Sequence, residues 1–106
     1  MKTYAILKFE DGSEECIGKI ECRHVERSSR KVRRSGFYLI KFTPVDGDGR
    51  SICLGSIQKP WWFTDVYRAC DKNGIRRRGD FSSKHSAANW IVAKFFEGDT
   101  VSWDFN

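Results

Sequence analysis

The sequence predicts an α+β fold: an antiparallel sheet of about five strands, a four-strand meander plus a C-terminal strand, packed against two helices. Three observations predict it. Short runs of β-branched and aromatic residues alternate in polarity and are separated by Asp and Gly turns. A segment near the C-terminus carries its apolar residues at helical spacing. The 106 residues suffice for one hydrophobic core, so residues 1–106 read as a single domain.

Thr3, Ala5, Leu7 and Phe9 alternate with Tyr4, Ile6 and Lys8, and both sets are largely apolar, as in a strand covered on both sides. Asp11 and Gly12 mark the turn that follows. In residues 16–24 the positions Cys16, Gly18, Ile20 and Cys22 are small or apolar while Lys19, Glu21 and Arg23 are polar, which makes a second, half-buried strand with both cysteines on its apolar face. Residues 37–43 and 51–57 are two more such runs, joined across Asp46, Gly47, Asp48 and Gly49. Residues 26–35 have no apolar period and much charge, which places them in an exposed loop or hairpin tip. Pro60 suits a first helical position, Trp62, Val66, Ala69 and Cys70 follow at helical spacing, and Gly74 suits a stop, so a short helix is expected there. Ser82 or Ser83 caps a second helix running to about Glu97, with Ala87, Ala88, Ile91, Val92, Phe95 and Phe96 as its buried stripe. Val101, Trp103 and Phe105 alternate with polar residues in a last strand.

Charge sets the functional expectation. Nineteen Lys and Arg against 14 Asp and Glu give a net charge of +5, which favours an anionic partner. The charge is concentrated: Arg23, Arg27, Arg30, Lys31, Arg33 and Arg34 face only Glu26 within residues 23–34. A second cluster, Lys72, Arg76, Arg77 and Arg78, falls between the two expected helices. Closely spaced guanidinium groups can each engage a phosphate and release counterions. Trp61, Trp62 and Phe63 stand in a row, and since no helix or strand buries three consecutive side chains on one face, at least one is exposed. Trp90 lies roughly opposite the apolar stripe of its helix, near Lys94, and either packs under another element or marks a contact surface. These residues, with Trp61 and Trp90 as aromatic anchors, read as a binding surface for nucleic acid or for a nucleic-acid-handling protein complex. The expectation is a non-catalytic binding protein. The alternative is a small inhibitor that docks on another protein, such as a phage or mobile-element encoded, anti-CRISPR-like blocker of a host defence nuclease.

Other chemistries are poorly supported by the residues. His24 and His85 beside cations would suit acid and base steps of RNA cleavage, but their arrangement is unspecific. Cys22, His24, Cys53 and Cys70 lack the close cysteine pair that opens structural zinc sites, so no metal is expected. No phosphate-cradling glycine loop or dinucleotide fingerprint is present, so no cofactor is expected. The short apolar run before Lys8 is no signal peptide, no run of 18 apolar residues occurs, and four cysteines at open spacing suit a reducing compartment. A cytoplasmic protein is the expectation. Ser83, Lys84, Ala87 and Ala88 within residues 82–96 resemble the last helix of double-stranded RNA binding domains, but the trailing strand and the lack of an opening helix depart from that family, and no residue roles follow.

Overall fold

The computed structural model describes residues 1–25, 36–60, 65–77 and 79–105. Among these are six strands, β1 (Lys2–Lys8), β2 (Glu14–His24), β3 (Gly36–Pro44), β4 (Ile52–Lys59), β5 (Arg68–Asp71) and β6 (Val101–Ser102), and one helix, α1 (Lys84–Phe95). The strands form one antiparallel sheet in the order β5-β4-β3-β2-β1-β6, curled as a half-barrel. β1 to β5 are a meander in chain order. The chain then crosses one face of the sheet as α1 and returns at the far edge as β6, beside β1.

The expected pair of helices on a five-stranded sheet is overturned. Where the first helix was expected, Arg68–Asp71 is instead a fifth strand of the meander, paired with β4 from Gln58↔Arg68 to Gly55↔Asp71. Four apolar residues at helical spacing are too few to exclude a strand, and Ala69 alternates as the buried position between Arg68 and Cys70. Gly74 does not stop a helix. It has φ +78° in a tight turn, where its N–H donates to the Asp71 carbonyl at 3.0 Å. The Asp71 carboxylate accepts from the N–H groups of Asn73 at 2.9 Å and Ile75 at 3.0 Å. The chain then runs back along the outside of β5, bridged at Cys70↔Arg76 and Tyr67↔Phe81.

Two bulges curl the sheet. Pairing steps from Ala5↔Gly18 to Ile6↔Cys16, and from Ile40↔Gly55 to Lys41↔Cys53, so Ile17 and Leu54 are each one residue in excess. Both occur in the same tripeptide pattern, Cys-aliphatic-Gly, and in both the thiol donates to the glycine carbonyl, Cys16 to Gly18 at 3.7 Å and Cys53 to Gly55 at 3.6 Å. A bulge reverses which face the following residues occupy. Cys16 is therefore exposed, which corrects its expected place beside buried Cys22.

The core lies between the sheet and α1. Ile20, Ile40, Leu54 and Ile57 meet Ile91 and Val92, all essentially inaccessible. At about 25 cal/mol per Å², each fully buried Ile or Leu contributes about 1.5–3 kcal/mol. α1 starts at Ser83, whose extended backbone (φ −140°, ψ 153°) lets its hydroxyl accept the Ser86 N–H at 3.1 Å. Phe96, Trp103 and Phe105 close the far end, where the Trp103 indole N–H donates to Asn89 Oδ1 at 2.9 Å. Among the described residues no helix is long and apolar enough to cross a membrane.

Candidate functional site

Strand alternation divides the cations between two faces. On the open face of the sheet, Arg23 stands opposite Leu39 and donates to Glu21 at 3.0 Å, and the same carboxylate holds Lys19 at 2.6 Å. The Lys19 ammonium, more than Arg23, keeps the Glu21 carboxyl below its usual range. Arg76, paired with Cys70, shares this face, and Asp80 lies 3.7 Å from it and 3.8 Å from Arg68. Arg23 and Arg76 are thus occupied by the molecule's own acids.

The helix-bearing side is different. Arg77 donates its N–H to the carbonyl of Ala69, a buried residue of that face, and its guanidinium lies over the Phe81 ring at 4.0 Å. Phe81 packs on Trp90 with ring centroids 6.4 Å apart, and Lys94, one turn along α1, lies 6.0 Å over that indole. Across the two-residue bridge from Phe81, Tyr67 carries Lys59 over its ring at 5.7 Å. Tyr38, which packs against His24 at 5.2 Å, carries Lys84 at 4.8 Å. At the other end of α1, Lys72 lies 5.8 Å over Phe95, and Lys72 and Lys94 line a 440 Å³ groove with Asp71 and Glu97. Lys59, Lys72, Arg77, Lys84 and Lys94 belong to no ion pair among the described residues.

These contacts form one belt around α1 in which cations and rings alternate. In each pair the cation lies within about 6 Å of the ring centroid, the range in which the ring quadrupole attracts it. Burial under the helix start, and secondarily the neighbouring Tyr67, pushes the Tyr38 phenol up, against the pull of Lys59. Burial likewise pushes the Cys22 thiol up, against Lys84 and the N-terminal amine. Both therefore stay neutral.

Of the residues singled out in the sequence, the structure brings Lys72, Arg77 and Trp90 into this belt and leaves Arg23 and Arg76 outside it. The second basic cluster is itself divided: Arg76 reaches Asp80 on the open face, and adjacent Arg77 lies over Phe81 on the helix side. Arg27, Arg30, Lys31, Arg33, Arg34, Arg78 and Trp61 lie outside the described residues. Sequence reasoning missed Lys59, Lys84, Tyr38, Tyr67 and Phe81. Their signal is weak, because Lys59 meets Tyr67 and Lys84 meets Tyr38 from segments distant in sequence, and Arg77 and Phe81 lie in a segment without regular periodicity; only Lys94, four positions after Trp90, was legible. His24 packs on Tyr38, and exposed His85 makes no hydrogen bond to it. Among the described residues no three His, Cys, Asp or Glu side chains gather as a metal would need. The chain matches no known family model, no characterised protein and no solved structure.

Proposed function

We propose that this chain is a non-catalytic binding protein whose α1 belt engages the phosphates of a nucleic acid. The observation that carries this reading is the set of five cations held over rings on the helix-bearing side, none of them in an ion pair among the described residues, although Lys72 and Lys94 share their groove with Asp71 and Glu97. The Arg77 guanidinium, centred 4.0 Å from the Phe81 ring centroid, is in no ion pair among the described residues, and its fork of N–H donors matches a phosphate. Ammonium groups held over rings serve as point charges along the same path. The position of the chain on either side of residues 26–35 agrees with this. Val25 donates to the Phe37 carbonyl at 2.8 Å and Gly36 pairs with Lys59, so the flanks of the basic segment stand at the Lys59 end of the belt.

Fluorescence anisotropy with a labelled oligonucleotide over a salt series tests the proposal. Affinity should fall steeply with salt, and Arg77→Ala should lower the slope of log K against log salt by about one. Triple replacement of Arg30, Arg33 and Arg34 by Ala should weaken binding further. No binding by the parent chain, or binding indifferent to all four arginines, would remove the reading. A lysate pull-down with and without nuclease separates it from the protein-docking inhibitor: a stoichiometric protein partner that survives nuclease would favour the inhibitor.

A further inference from the structure

Resting on that nucleic-acid reading, we infer that the α1 belt grips the phosphodiester backbone and does not stack on bases, so that it takes nucleic acid irrespective of sequence. Stacking requires a ring with an open face for the base. Every ring of the belt already carries a cation: Lys84 on Tyr38, Lys59 on Tyr67, Arg77 on Phe81, Lys94 on Trp90 and Lys72 on Phe95. The rings are also packed on one another or on the core, Phe81 against Trp90, Tyr38 against His24, and Phe95 against Phe42 and Phe96. A base would have to displace the cation, forfeiting the cation–ring attraction and moving the charge away from the strand that it should meet. The rings act instead as platforms. They hold long side chains in place before binding, which reduces the ordering cost that flexible Lys and Arg otherwise bring to an interface.

A double-mutant cycle on Phe81 and Arg77 tests this, read by anisotropy with oligo-dA, oligo-dT and a mixed-sequence duplex. If the ring acts through the cation, Phe81→Leu weakens binding by roughly threefold in the parent and adds nothing in the Arg77→Ala background. If the ring stacks on a base, the Phe81→Leu loss persists without Arg77, oligo-dA binds much better than oligo-dT, and the inference is overturned. Should Phe81→Leu fail to fold, Trp90 decides. The fluorescence quench on binding should be the same in the parent and in Trp90→Phe, whereas a share of quench lost with Trp90 means stacking. Absence of binding by the parent to all three probes would overturn both readings, while salt-dependent binding with a persistent Phe81 effect overturns only this one.

Discussion

Arg76 and Arg77 differ by one position and by almost everything that matters for binding. Arg76 reaches Asp80 on the open face, and Arg77 lies over Phe81 on the helix side. An ion pair at 3.7 Å, about half exposed at Arg76, contributes little to stability, yet it competes with any outside anion for that guanidinium. Arg77 has no such competitor among the described residues. The cysteines show the same dependence on face. Cys16 and Cys53 are exposed beside their bulges, Cys70 is half-buried and Cys22 is sealed in the core, where burial also suppresses its thiolate. Alkylation under native conditions, followed by mass spectrometry, should therefore modify Cys16 and Cys53 first and Cys22 last, only as the fold opens. Modification of Cys22 at the pace of Cys16 would mean that the second strand is placed in the wrong register.

At the scale of elements, α1 was legible because a stripe of six apolar residues behind a serine cap is hard to form by chance. Its termination at Phe96, two residues before Gly98, follows the same logic. Ser83→Ala removes the acceptor of the Ser86 N–H and should cost about 1 kcal/mol, lowering the thermal midpoint by several degrees without changing the oligonucleotide salt slope. A midpoint equal to the parent's would show that the cap contributes nothing. The segment from Pro60 to Gly74 misled for a physical reason: proline and glycine punctuate turns as readily as helix ends, and β5 contributes a single fully buried residue, Ala69. A four-residue strand has too little periodicity to declare itself. It forms because β4 offers it a ladder, from Gly55 to Gln58.

For the whole molecule, the decisive packing is that of α1 across the curled sheet, with Gly55 at the closest approach. A Cβ on Gly55 would overlap the Cys70 carbonyl oxygen and come within 2.8 Å of Ile91 Cγ2, so helix, β4 and β5 all meet on its bare backbone. Gly55→Ala should destabilise the fold by about 1–3 kcal/mol, read as a lower denaturant midpoint, whereas Gly12→Ala, at a turn with nothing nearby, acts only through its φ of +88°. A Gly55→Ala midpoint matching the parent's would mean that α1 does not press on β4 as described. The same packing assembles the belt. Tyr67 and Phe81 are drawn together by the ribbon outside β5, Lys84 reaches Tyr38 from the helix start, and Trp90 turns its ring to Phe81 because the buried stripe occupies the opposite side of α1.

Whereas the last strand, expected to alternate through Val101, Trp103 and Phe105, is confined to Val101–Ser102, local patterning by itself determined the first four strands, the capped amphipathic helix and the excess of positive charge. Each of these is a property of neighbours along the chain, spaced by the periods of two and 3.6 that backbone geometry imposes. Tertiary structure alone decided that the fifth strand forms, that two bulges reverse the faces of Cys16 and Leu54, and which of the described cations enter ion pairs. Those outcomes depend on pairing between residues distant in sequence, where a shift of one position in register sends a side chain to the other face of the sheet.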